Sequence, residues 1–359
     1  MSADLSSRLS HRPKELLHSM ITIADPPKPM DANLRDHPSS IGIVDRLPIE
    51  VLQEVFGLLD FQSLTRFARV SLQGKNVVKY FPAYRDLMNY APDALAALGQ
   101  TKLIHLHSAS DLLAALRTER CALCPEYGVY LFLPTCERCC WQCLQFNFMR
   151  RVVSPTVAGE VFALSPEMVQ QIPAMFSIPG TYGLSSVPVR NPVKLCSMSD
   201  AKKLATSVCG SAENLEAAIL KIPNVWSGSD LEAAALSGYN YLDLLKMLSQ
   251  GVIGAGRYFG TASIPFPSRT APGVIEHGLW CKGCKWTYNQ YRHDQIPAHV
   301  IADMVPRDCD PDRVLFDRTR CARSRIGLLA HVGRCYGAQQ LLEKWKLSEH
   351  YLTGEQTIK

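Results

Sequence analysis

Cys121, Cys124, Cys136, Cys139, Cys140 and Cys143 place six thiols between residues 121 and 143. Thiolates are soft anionic ligands, and a CxxC turn sets two of them on one side of a tetrahedral metal shell. Cys121-x2-Cys124 followed by Cys140-x2-Cys143 has the spacing of a four-cysteine zinc site. Cys136-x2-Cys139 interleaves with the second pair and would close a shorter loop, so Cys136 or Cys139 stands as the alternative. Isolated cysteines behave as small buried hydrophobes, which does not produce such a cluster. A redox CxxC needs a βαβ context, and none is evident. Four protein ligands leave no open coordination position, so the expected role is structural rather than hydrolytic. Structural zinc contributes about 10–16 kcal/mol in small peptides. A domain's net stability is about 5–15 kcal/mol, so the metal could decide whether this region folds.

A second constellation is more dispersed. Cys281-Lys282-Gly283-Cys284 forms a knuckle in which Gly283 can take a tight turn. Far downstream, His331 and Cys335 are i and i+4 and would share one helix face. Together they predict a second zinc site of Cys281, Cys284, His331 and Cys335. His277, Cys309 and Cys321 are alternative ligands, and the competing reading is a capped helix with a core histidine. One or two structural zinc ions are therefore expected.

These residues need elements to hold them. Val129–Leu133 reads as a strand between the two turns of the first site, as a zinc-ribbon or treble-clef arrangement requires. Ser108 or Ser110 can cap a helix over Asp111–Arg117 leading into that site. Val161–Leu164 reads as a further strand, and Ser165-Pro166 as a helix start. Residues 172–196 and 252–285 read as strands and loops. Helices are expected over Ser199–Ser207, Ala212–Ile222, Tyr241–Leu248 and, as one long element, Ser324–Trp345. Residues 81–99 read as two short helices broken at Pro92. Residues 1–40 are polar and proline-containing and read as a disordered tail. No repeat of solenoid or propeller length is present. The fold class expected is α+β, with a helical N-terminal module followed by a mixed α/β domain.

The rest of the chain excludes more than it assigns. Hydrophobic residues make up 47% and charged residues 20%, with a net charge of +5. That balance suits a globular protein, and the mild charge does not indicate nucleic acid. No apolar stretch is long enough to span a membrane, and no signal core precedes the first module. A cytoplasmic and/or nuclear location is expected. No nucleophile elbow, phosphate loop or HExxH is found, so no enzyme activity is expected. Arg313, Arg318, Arg320, Arg323, Arg325 and Arg334 concentrate basic charge. Asp308, Asp310, Asp312 and Asp317 lie among them, which favours a salt-bridged surface over a site for phosphorylated, acidic or nucleic-acid ligands.

Residues 47–72, LPIEVLQEVFGLLDFQSLTRFARVSL, carry an apolar surplus on short helices. Val51, Leu52, Val55, Phe56 and Leu59 recur with helical spacing. Asp60 can cap a second helix bearing Leu64, Phe67 and Val70. Val77, Val78 and Phe81 can line a third. Helices this short leave apolar surface that needs a partner. The run resembles the F-box through Leu47, Pro48, Glu50, Val51, Leu52, Val55, Phe56, Leu59, Leu64, Phe67, Val70 and Ser71. A basic residue and a tryptophan often follow in that family, where this chain has Leu72, Gln73 and Gly74. The resemblance implies an F-box over 41–90 that docks on a Skp-type adaptor and, through it, cullin. Residues 91–359 would then be a zinc-stapled region recognising a protein substrate.

The wider layout also resembles a group of fungal F-box proteins. It shares Pro82–Leu87, Leu133-Pro134-Thr135-Cys136, Trp280-Cys281-Lys282-Gly283-Cys284-Lys285-Trp286, and His331 with Cys335. What this implies is the substrate receptor of a Skp–cullin–F-box (SCF) ubiquitin ligase, acting by proximity and supplying no catalytic group. The alternatives are a zinc-binding partner of the adaptor outside a ligase, or a zinc-dependent nucleic-acid binder.

Overall fold

A computed structural model of the protein describes residues 2–28, 39–219, 256–271 and 273–354. Helices and small antiparallel sheets are mixed along it, and no helix among the described residues is long and apolar enough to cross a membrane. The helix expected at Tyr241–Leu248 lies outside the described residues, as does the end of the one expected over Ala212–Ile222.

The module that begins near residue 44 is helical. Pro48 precedes the helix Ile49–Leu58, and Asp60 caps Phe61–Phe67 by accepting from the Ser63 amide at 2.9 Å. Ser71 caps Leu72–Tyr80 through the Gly74 amide at 3.0 Å, so the third helix forms despite the missing tryptophan. A Cβ on Gly74 would lie 2.9 Å from the Phe67 carbonyl oxygen, and the absent side chain lets the second and third helices approach. Pro82–Tyr90, Pro92–Gln100 and Ala109–Arg117 follow, the last closed by a Ser108–Asp111 capping box.

This module has no core of its own. Leu52, Phe56, Phe61, Leu64 and Val78 belong to one buried cluster that also holds Leu87, Leu98, Leu112, Tyr130, Trp141 and Trp280. A Cβ on Gly57 would lie 2.5 Å from Ser110 Oγ, and the Ala109 amide donates to the Leu59 carbonyl at 2.8 Å. The boundary expected at residue 90 therefore does not separate two cores.

Two three-stranded sheets carry the cysteine regions. Tyr130–Phe132 pairs with Glu137–Cys139 on one side and Ser263–Pro265 on the other. Leu279–Cys281 lies between Ser10–His11 and Ala322–Arg323. A third sheet, Val152–Val153 with Lys194–Ser197 and Ala174–Phe176, packs with Met198–Cys209 and Ala212–Ile219 around a separate cluster that includes Phe162, Cys196 and Met198.

Three expectations are overturned. The tail read as disordered forms Ser2–Leu9, Ser10–His11 and Lys14–His18, although 29–38 lie outside the described residues. Its few apolar residues are placed far apart in the fold, with Leu9 in one core cluster and Leu16, Met20 and Ile21 in another. Val161 and Phe162 end the helix Pro155–Phe162, which Ser154 caps, instead of forming a strand. The long terminal helix is two, Arg325–Val332 and Tyr336–Gly354, separated at Gly333–Cys335.

Candidate metal centres and apolar face

The first cysteine set is assembled by a turn, a hairpin and a helix start. The Cys121 amide donates to the Glu126 carbonyl and the Ala122 amide to the Arg138 carbonyl, both at 2.8 Å, so the turn lies on the hairpin. Tyr130 opposes Cys139 in that hairpin, and the chain then enters Trp141–Phe146 with Cys140 as its cap. Cys121, Cys124, Cys140 and Cys143 present sulfur atoms within 4.8 Å of one another, with Cys124 and Cys140 at 3.6 Å. All are free thiols. Amides of Leu123 and Cys143 point to the sulfurs of Cys121 and Cys140 at 3.5 and 3.4 Å, an arrangement that favours thiolate.

The interleaved pair stays outside the set. Cys136 turns the hairpin with φ +52°, buries its side chain in the core, and has its thiol pushed well up by that burial. Cys139 is fully buried beside the set, and the pKa of Cys121 falls far below the ordinary value through Cys139 first and then Cys140 and Cys143. The spacing marks Cys139 only as a rival ligand.

Beneath the hairpin, Arg138 is buried without a carboxylate. It donates to the carbonyls of Gly128, Ala115, Pro267 and Phe266 at 2.7–3.1 Å, and desolvation lowers its pKa to about 10. Four backbone acceptors from three segments are satisfied by one fork, which fixes the hairpin to the helix Ala109–Arg117.

The second set draws on residues far apart in sequence. Cys281 ends the central strand and caps Lys282–Arg292, and Cys284 sits in the first turn. His331 comes from the last turn of Arg325–Val332, while Cys335 stands before Tyr336–Gly354. The two are thus joined by a break, correcting the expectation of one helix face. Cys284 Sγ lies 3.1 Å from His331 Nε2 and 3.9 Å from Cys335 Sγ, and Cys281 Sγ lies 3.8 Å from Cys335 Sγ. All four ligand atoms are within 4.8 Å of one another. The thiol of Cys281 is pulled far down, by Cys284 first and Cys335 next, at a helix N-terminus that also favours negative charge.

Backbone proximity makes this set possible. A Cβ on Gly283 would lie 2.2 Å from the Ala338 amide nitrogen, and one on Gly337 2.2 Å from the Gly283 carbonyl oxygen. Gly283 is therefore required for helix crossing within its helix, not for the tight turn expected. Leu9 packs into the same cluster as Cys281, Cys284, Leu328, Val332 and Cys335, so the N-terminal segment lids the centre. His277, Cys309 and Cys321 are not part of it; Cys309 is exposed, and Gln142 Nε2 lies 3.2 Å from Cys321 Sγ.

Arg320 links the two centres and is buried rather than part of a solvated face. Its Nη1 donates to Gln145 Oε1 at 3.0 Å, its guanidinium sits over Trp141, and its carbonyl accepts from Trp280 Nε1 at 3.0 Å. Trp141 follows Cys140 and Trp280 precedes Cys281. On the same stretch Asp312 pairs with Arg292 at 3.1 Å.

The helix Ile49–Leu58 has two apolar sides. Leu52 and Phe56 point inward, and Leu64 on the next helix is fully buried. Those three cannot touch a partner in this fold, because the stripe they form is covered by the neighbouring helices. Leu59 and Phe67 are half-buried against the core. Val51, Val55 and Leu58, with i, i+4, i+7 spacing, are 40%, 43% and 79% exposed. Leu47, Pro48 and Glu50 are exposed with them, as are Ile43, Ile49, Val70 and Leu72, of which Ile43, Ile49, Leu58 and Leu72 are missing from the expected contacts.

Neither the curated proteins nor the solved structures contain a match to this chain. The F-box domain family matches residues 44–83, the segment that bears the exposed apolar stripe. Residues 44–83 are therefore an F-box domain, a module that generally binds Skp-type adaptors.

Proposed function

We propose that the protein is the substrate receptor of an SCF ubiquitin ligase. The observation that carries this is the uncovered stripe Leu47, Val51, Val55 and Leu58 on an F-box whose opposite side is already built into the core. A short helix and the turn before it gain little by exposing four aliphatic side chains unless another surface covers them. The adaptor covers the stripe and connects to cullin, while residues beyond the F-box hold a target protein. The chain's own residues bind and orient; the reacting groups belong to the conjugating enzyme.

The two clusters hold structural zinc in this reading. Zinc–sulfur bonds of about 2.3 Å give tetrahedral edges of about 3.8 Å. The sulfur separations of 3.6, 3.8 and 3.9 Å fit those edges and are too long for disulfides. Zinc when bound supplies no chemistry beyond fixing these ligands, since each shell is filled by protein.

Adaptor capture from extract tests the reading. Replacing Val51 and Leu58 by Asp removes two aliphatic contacts worth about 1.5–3 kcal/mol each. Recovery should fall by about 100-fold or more, while thermal stability stays within the range of surface substitutions. Unchanged adaptor recovery would refute the docking face. Adaptor recovered without cullin would refute the ligase.

A further inference from the structure

A cavity of about 310 Å³ lies where the N-terminal segment meets the C-terminal helices. Glu15 and Leu16 line it from one side, and Lys285, Phe316 and Arg320 from the helices Lys282–Arg292 and Pro311–Arg320. Leu184 joins them from the turn after Gly180–Tyr182. No ligand of either metal cluster lines it. Arg320 is the group in it that lacks a counter-ion. It is only 9% exposed, and among the described residues its one side-chain hydrogen bond goes to Gln145 Oε1 at 3.0 Å. A guanidinium has five N–H donors, so most of this fork is unused. Asp317 acts on it through space without an ion pair. The rings of Phe316 and Trp141, 3.9 and 5.3 Å away, ease its charge without accepting its hydrogens. Lys285, exposed in the same wall, makes no ion pair among the described residues.

We propose that this cavity binds a small organic monocarboxylate with an apolar, ring-sized body. The proposal stands apart from the receptor reading and needs neither adaptor nor target. A buried cation is costly until an anion or a full set of acceptors completes it. The two oxygens of a carboxylate match the planar guanidinium fork. Lys285 and Arg320 against Glu15 leave the wall at +1, with His11, which also lines it, neutral because burial lowers its pKa. That charge suits a monoanion and leaves a phosphate dianion in excess. The rest of the wall is apolar: Leu16, Leu184 and Phe316, whose ring packs on Tyr288 with centroids 5.2 Å apart. The volume is at the lower end of ligand pockets, room for one ring and a short chain rather than a nucleotide.

Titration calorimetry on the full-length, metal-loaded protein tests the site, with hydrocinnamate as the probe and its uncharged amide as the control. The acid should bind about 10-fold tighter or better than the amide, the value of one charge-assisted hydrogen bond. Because one wall is the N-terminal segment, the acid should also slow deuterium exchange over Lys14–His18. Arg320→Gln should bring the acid down to the amide. Two exposed positions carry the test if that variant does not fold. Lys285→Gln should weaken the acid by about 2- to 5-fold, the worth of an exposed charge pair, and leave the amide unchanged. Leu184→Trp fills the cavity and should abolish binding of both. Equal affinity for acid and amide, or an acid dissociation constant weaker than about 1 mM, overturns the assignment. Acid binding untouched by Leu184→Trp also overturns it, because the acid then sits elsewhere on the protein.

Discussion

Gly337→Ala should dismantle the second metal centre while sparing the first. The added Cβ would stand 2.2 Å from the Gly283 carbonyl oxygen, about 0.8 Å inside the 3.0 Å limit that real Cβ contacts respect. The opposing atom is backbone, so no side-chain rotation relieves the clash. The helices Lys282–Arg292 and Tyr336–Gly354 must move apart by a comparable distance; the first carries Cys284, and Cys335 directly precedes the second. Their sulfurs already stand 3.9 Å apart, near the edge length of a zinc tetrahedron. Ligand distances tolerate about 0.2 Å. Overpacking costs about 1–3 kcal/mol in general, which is about 5- to 150-fold in metal affinity if borne by the site. Zinc release to a competing chelator, followed by a colorimetric indicator, should fall into two phases in the variant, one near wild-type resistance and one much weaker. Gly333→Ala is the control, since its Cβ would meet nothing nearer than the Ala330 carbonyl oxygen at 3.8 Å. Two equally resistant zinc ions in Gly337→Ala would refute the argument that the glycine crossing sets this site.

Two further outcomes follow from burial. Leu9→Ala removes a fully buried side chain from the lid over the second centre, at a cost of about 2–5 kcal/mol; calorimetry should show a lower melting temperature, and zinc release should quicken at the second centre alone. His107 is buried, its Nε2 lies 2.8 Å from the Leu133 carbonyl oxygen, and desolvation lowers its pKa below 6.5. Both states are neutral above about pH 6.5. As pH falls through that value the unfolded chain takes the proton first, so stability drops until the folded pKa is reached. Denaturant titrations between about pH 5.5 and 7.5 should show a shallower loss for His107→Gln than for wild type, and an equal slope would rule out this contribution.

The first cysteine set is readable because all its parts are local: a turn, a hairpin and a helix start lie within one short stretch, and their spacing encodes their proximity. The second set is only partly readable. His331 and Cys335 have helical spacing, but Gly333 and Arg334 end one helix and Cys335 begins the approach to another, which leucine-rich periodicity does not reveal. The N-terminal segment is misread for a related reason. Leu9, Leu16, Met20 and Ile21 are too few to make a period, and what orders them is contact with strands and helices hundreds of residues away. On Ile49–Leu58, periodicity marks apolar positions but not which stripe stays open. That depends on Ser110 meeting Gly57 across to Ala109–Arg117, a long-range fact. Arg320 looks like its charged neighbours in the sequence and differs from them only in what surrounds it.

The unbroken core beneath the F-box has a geometric consequence. With Gly57 seated against Ser110 and one cluster running from Leu52 to Trp280, the F-box cannot tilt independently of the residues that follow it. If the proposed receptor role holds, such a joint makes the protein a ruler of set length. A target held by such a receptor would present only those lysines that its own chain swings through the fixed gap to the transfer enzyme, so the spacing between docked residue and modified lysine would become a selection rule carried by the substrate.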